Sequence, residues 1–328
     1  MSNSLMNHDF SYETLTAGVN SSPVALGPVA RSGLFTDNPC LSVDVAIELI
    51  NEELSVIQSS PRGGIGSIHP KTGRHMVKLK CPHLLDRATI LADSWQGVVG
   101  FNQGGTPANV LTEKDRILAE ARRRIEVTIG YHKTRALSGV ILDADGSVLV
   151  DLLSEFGVTQ HVVDCALDTS TTRVANVITA ARRLAEPELG SAYAASWVCF
   201  ASPSFMDALR SNPSLEAALS GWNGATALTA DIRAGDLVIA GVRFVEVPNM
   251  AGKTYIDADT AFLCPEGVPN LCVTHFAPAD YIETTNQTAL PLYAKAEPLD
   301  FNRGIEIETQ SNPLSIVTRP RAIIRLTA

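Results

Sequence analysis

The amino-acid sequence predicts an α+β protein. Residues Val43, Val45, Ile47 and Leu49 alternate with polar neighbours, as do Met76 to Lys80, which is the period of strands with one wet face. From Thr112, apolar residues recur at helical spacing for about 25 residues, long for a globular helix. After that the chain reads as a small mixed unit followed by a return to strands near the C-terminus.

Taken in order, residues 1–36 are rich in Ser, Asn, Gly and Pro and show few periodic apolar positions, so an extended arm is expected there. The strand at 43–49 runs on toward Leu54 and Val56. Glycine- and proline-rich turns at 59–67 and 70–73 separate it from the strand at 76–80, giving a long hairpin. Its first arm carries Asp44, Glu48, Glu52 and Glu53; its second carries Lys71, Arg74, Lys78 and Lys80. Two readings fit this asymmetry. The strands merely have exposed faces of opposite sign, with cross-strand pairs contributing about 0.2–1 kcal/mol each. Alternatively, the hairpin is a projecting arm that also lies on a neighbouring molecule, since a long hairpin with few apolar residues is marginal alone.

The helix is expected at about 112–138, with Thr112 as N-cap and Ile117, Ala121, Ile125, Ile129, His132 or Lys133, Ala136 and Leu137 on its apolar stripe. Arg122, Arg123 and Arg124 are read on its other faces, either paired with Glu120 and Glu126 or touching nucleic acid. Asp143-Ala144-Asp145-Gly146 is a turn between strands at 139–142 and 148–153. A helix follows at 171–186, a buried strand at 197–200, a helix at 205–209 behind Ser202-Pro203, and a hairpin about Ala240-Gly241. Strands at 304–308 and 315–327 close the chain. No internal repeat is visible.

The 328 residues are 45% apolar and 19% charged, enough to bury a sizeable core without metals or disulfides. A net charge of −9 argues against a protein whose main task is gripping nucleic acid. It leaves room for a container whose inner wall meets nucleic acid. The six cysteines form no C-x-x-C pair and read as buried small hydrophobes of a reducing compartment. With no secretion signal and no apolar run of about 18 residues, cytoplasmic production and no membrane contact are expected.

Chemical motifs are thin. The seven histidines form no H-E-x-x-H pair, and Cys81-Pro82-His83 are too close in sequence for the usual thiol–imidazole couple. Arg62 to Ser67 lacks the Lys-Ser/Thr of a phosphate loop. Asp143 to Gly146 starts like a calcium loop, but its twelfth position is Ser154. No catalytic residue, metal site or cofactor is therefore expected.

Several blocks resemble the lambda-like phage major capsid protein family, phage capsid family E. They are Phe35-Thr36 with Val45 to Glu48 and Ser60 to Gly63; Ile141 to Val148; Ala277 to Thr284; Leu292 to Pro298; and Gln310 to Leu314 with Thr318 to Pro320. The likeness runs from about residue 33 to the end. It implies the HK-97-like phage capsid fold, divided here into an N-terminal arm at 1–38, an extended loop at 39–82, a peripheral domain at 83–189 and 266–328, and an axial domain at 190–265. It also implies a structural subunit that self-assembles as pentamers and hexamers into an icosahedral head shell around double-stranded DNA, with separate scaffold, portal and cement proteins. The assembly contacts expected on the extended loop are Asp44, Glu48, Glu52, Lys71, Arg74, Lys78 and Lys80. Some shells of this fold are locked by Lys–Asn isopeptide bonds, but nothing in this sequence marks a partner Asn or a catalytic acid for the loop lysines. The competing readings are a bacterial nanocompartment shell of the same fold and a small α/β hydrolase or oxidoreductase using Cys81 and His83 or the glycine-rich loop.

Overall fold

A computed structural model of the chain describes residues 10–21, 27–50, 74–95, 110–169, 172–190, 192–215 and 237–328. Helix α1 (Tyr12–Asn20) opens it, started by the Ser11 hydroxyl accepting the Thr14 amide, and a single turn, α2 (Pro28–Arg31), follows. Strand β1 (Thr36–Pro39) leads to the hairpin β2 (Asp44–Ile50) and β3 (Arg74–Lys80). Then come β4 (Leu84–Leu91), the turn α3 (Ala92–Trp95) and the spine helix α4 (Val110–Leu137). Strands β5 (Val140–Leu142) and β6 (Val148–Asp151) flank the expected Asp-Gly turn, where Gly146 takes φ 90°.

Helix α5 (Leu152–Phe156), strand β7 (Val162–Asp164) and helix α6 (Val174–Ala185) precede β8 (Ser196–Ala201) and α7 (Pro203–Ser211). The hairpin β9 (Leu237–Ile239) and β10 (Val242–Glu246) turns at Ala240 and Gly241, both with positive φ. The rest is β11 (Thr260–Glu266), β12 (Cys272–Phe276), β13 (Tyr293–Pro298), β14 (Gly304–Ser311), β15 (Pro313–Val317) and β16 (Ile324–Thr327).

Among the described residues the strands form a six-stranded mixed sheet, β7-β16-β11-β8-β10-β9, and two three-stranded sheets, β1-β12-β15 and β13-β14-β4. Strands β8 and β11 are buried along nearly their whole length, which is why they read as continuous apolar runs rather than alternation. The six-stranded sheet takes β7 and β16 from outside the stretch 190–265, because the C-terminal strand pairs antiparallel with β11 and parallel with β7.

Two apolar clusters hold the molecule. The larger contains the inner residues of the six-stranded sheet, Phe205, Leu209, Ile178 and the C-terminal end of α4. The smaller lies between α1, α4 and the β13-β14-β4 sheet, with Leu15, Val19, Ile90, Ile117, Ile125, Leu292 and Ile307.

Four expectations are corrected. The first 36 residues are not uniformly extended. Leu15, Thr16 and Val19 of α1 are buried, and the Thr16 hydroxyl exchanges hydrogen bonds of 3.3 Å with the backbone of Ala294. Thr112 does not cap the spine helix, which already includes Val110. Nor is the helix a spine with one narrow stripe throughout, since from Ile129 to Leu137 every residue but Arg135 is buried. Finally, β6 stops at Asp151, whose carboxylate accepts the Ser154 amide and turns Leu152 and Leu153 into a helix.

Candidate assembly surface

The β2–β3 hairpin has two chemically distinct faces. Register places Val45 opposite Leu79 and Ile47 opposite Val77, and all four are buried in the larger apolar cluster. The other face puts Asp44 opposite Lys80 and Ala46 opposite Lys78, all exposed. Among the described residues Asp44, Lys78 and Lys80 make no ion pair. Among the described residues, Asp44 opposite Lys80 is the one cross-strand charge pair in register. Glu48 pairs with Met76, and Arg74 with Ile50. Glu52 and Lys71 lie outside the described residues. The hairpin base is anchored in its own subunit by burial, and Asp44, Lys78 and Lys80 are exposed without ion-pair partners among the described residues.

The arm is tied to the spine helix by cations. Arg122, one of the three consecutive arginines, is buried and donates to the Val19 carbonyl in the last turn of α1, where a positive charge complements the helix end. Its neighbour Glu126 lies 3.9 Å from the guanidinium, and burial pushes that carboxyl upward. Lys114 sits 5.5 Å above the Phe10 ring, and Lys133 bonds Asp37 of β1 at 3.5 Å while lying over Phe35. Arg124, by contrast, is exposed and bridges Glu120 at 2.6 Å and Asp86 at 3.4 Å. The salt-bridged reading holds for Arg124; Arg122 belongs to the interior.

The C-terminal blocks form one hydrogen-bonded knot. The Asn312 side chain donates to the Pro278 carbonyl at 2.7 Å, and the Ala277 amide donates to the Asn312 carbonyl at 3.0 Å. Ser311 donates to the Pro291 carbonyl at 2.7 Å, and the Asp280 amide to Gln310 at 3.1 Å. Glu308 accepts from Tyr281, Gln310 and Arg87, which draws its carboxyl below the usual range against the cost of burial. The knot fastens β14 and β15 to the 277–284 loop, so those residue types are needed to shape the backbone.

The thiols and imidazoles do not assemble a reactive couple. Burial pushes Cys81 up to about 12, and His83 instead contacts the Asn312 side chain at 2.8 Å. Cys40, which the sequence did not single out, lies 3.4 Å from His275. Burial raises that thiol and lowers that imidazole, both against a thiolate–imidazolium pair. Among the described residues no group of three or more His, Cys, Asp or Glu could hold a metal ion, and no helix is long and apolar enough to cross a membrane.

The family model for phage major capsid protein E matches residues 11–328. The chain belongs to that family. The match begins inside the arm, earlier than the resemblance near residue 33, and takes in helix α1. The major capsid protein of Pseudomonas phage KPP10 is 22% identical over 346 aligned positions, covering 98% of this chain and 97% of that one. The major capsid protein of Salmonella phage Felix O1 is 25% identical over 158 residues, a local match spanning 47% of this chain and 42% of the relative. Among solved structures, the putative capsid protein of a prophage of E. coli CFT073 superposes with a TM-score of 0.61 at 13% identity, covering 96% of this chain and 98% of that one. A subunit of the mature capsid of bacteriophage PhiM1 gives 0.54 at 13% identity, covering 94% and 89%. At such identities the likeness shows the fold, which is the HK-97-like phage capsid fold. As a phage major capsid protein of family E, the chain is a structural, shell-forming subunit and not an enzyme.

Proposed function

We propose that this capsid subunit closes into pentamers and hexamers of an icosahedral head shell around double-stranded DNA, with the exposed face of the β2–β3 hairpin lying on a neighbouring copy. The observation that carries this reading is the hairpin's division of labour. Its apolar side is sealed in its own core, while Asp44, Lys78 and Lys80 face outward with no partner among the described residues. Surface charges aligned that way add little to one subunit and more to the choice of its neighbour. On this reading Glu48, Glu52, Lys71 and Arg74 belong to the same contact. The extended loop at 39–82 reaches across to neighbours, while the six-stranded sheet forms the axial unit. Separate scaffold, portal and cement proteins complete the particle, which is assembled in the host cytoplasm.

The test is charge reversal on the exposed face. Lys78→Glu together with Lys80→Glu should leave the circular dichroism of the subunit unchanged and its unfolding free energy within about 0.5 kcal/mol of the original. The same variant should raise the concentration needed for assembly by about tenfold or more, since like charges across a contact repel. Unfolding of the variant would show that the lysines serve the core. Normal assembly would show that this face meets no neighbour.

A further inference from the structure

Helix α4 passes from one apolar cluster to the other. Ile117, Leu118, Ile125 and Ile129 belong to the smaller cluster, while Tyr131, Ala136 and Leu137 belong to the larger. The residue at the change-over is Gly130, buried inside the helix. A helical glycine adds no side chain to either cluster and leaves the backbone freer than any other residue would. The helix on either side of it carries bonds that compete with the regular ladder. The Thr134 hydroxyl donates to the Gly130 carbonyl at 2.8 Å, and the Thr128 hydroxyl to the Arg124 carbonyl at 3.1 Å. Back-bonding of this kind weakens a helix slightly and favours bending.

A strap from the six-stranded sheet crosses this same stretch. Residues 247–259 leave the sheet after β10, reach α4 and return into β11. The strap turns at Ala251 and Gly252, both with positive φ, and Lys253 donates from that turn to the Ala144 carbonyl between β5 and β6. Tyr255 is buried, with its ring edge-on to that of Tyr131 at 5.3 Å. Its hydroxyl donates to the Val127 carbonyl at 3.3 Å, the carbonyl whose helical partner is the Tyr131 amide. Asp257 accepts from Arg135 at 2.9 Å. The two polar bonds from the strap therefore fall on opposite sides of Gly130, and the ring contact fills the space between them.

We propose that Gly130 is a flexure in the spine helix and that the 247–259 strap is the latch that holds it at one angle. Tyr255 and Asp257 then set how the six-stranded sheet is held relative to α1 and the β13-β14-β4 sheet. The test is hydrogen exchange, read by mass spectrometry, on the purified full chain carrying Tyr255→Phe and Asp257→Asn. The first change removes the hydroxyl and keeps the ring; the second removes the charge and keeps the shape. Amides of residues 127–137 should exchange about tenfold faster in the double variant. Those of residues 114–125, β8 and β11 should keep their original rates, because both clusters stay packed. Unchanged exchange at 127–137 would overturn the proposal. Faster exchange throughout the chain would overturn it as well, since the strap would then support the whole core and hold no joint.

Discussion

Lowering the pH from 7 to 4 should remove about 3 kcal/mol from the stability of the unassembled subunit through one imidazole, that of His132. His132 is 1% exposed in the enclosed half of α4, and neither ring nitrogen has a hydrogen-bond partner among the described residues. Burial pushes its pKa down from 6.5 to about 4, opposed only in part by the carboxylate of Asp143. The unfolded chain therefore takes up a proton near pH 6.5 that the folded chain refuses until about pH 4. Stability is complete above 6.5, falls between those values, and loses nothing further from this group below them. Replacing His132 with Leu should flatten that part of the pH profile. It should also raise stability at pH 7 by about 1 kcal/mol, because a buried polar ring without partners is exchanged for an apolar side chain of similar size. Urea unfolding of the two proteins at pH 7 and 4.5 measures both effects. An unchanged slope in the Leu variant would assign the acid sensitivity elsewhere.

Arg122→Ala should cost about 3 kcal/mol and free the arm from the spine. The change strands the Val19 carbonyl at the end of α1 and leaves Glu126 with Lys133 as its remaining cation. Glu126 should then hold its proton to still higher pH. Arg122→Lys, which keeps the charge but not the planar fork, should lose less. Hydrogen exchange localises the effect. Amides of residues 12–20 should exchange faster in the Ala variant, with those of β8 and β11 unchanged. Equal loss of protection everywhere would mean that Arg122 supports the whole core.

The same arginine shows how far the sequence could be read. The stripe read from the sequence, with Ile117, Ala121, Ile125, Ile129 and Ala136, is buried, and so is Arg122 beside Ala121. The pattern was legible, but a charged residue beside two exposed arginines looked like part of the wet face. The hairpin at 44–80, the turn at 143–146 and the Ser202-capped helix were read from alternation and turn chemistry that act locally. Helix α1 was missed because its burial depends on a threonine and two apolar residues meeting β13, nearly three hundred positions away. Strand β4 was missed because Leu85 and Leu91 put large apolar residues on its exposed face and blur the alternation. The positions of Asp44, Lys78 and Lys80 on one exposed face could be read from period two, whereas their lack of partners within the subunit required the fold.

On the proposed reading, a subunit of this shape satisfies its outward charges only against copies of itself. Negative-stain electron microscopy of the purified full chain, across a concentration series and with and without co-expressed head proteins, addresses that directly. Closed shells or rings of subunits are the predicted particles. A uniform monomer under every condition would contradict the account.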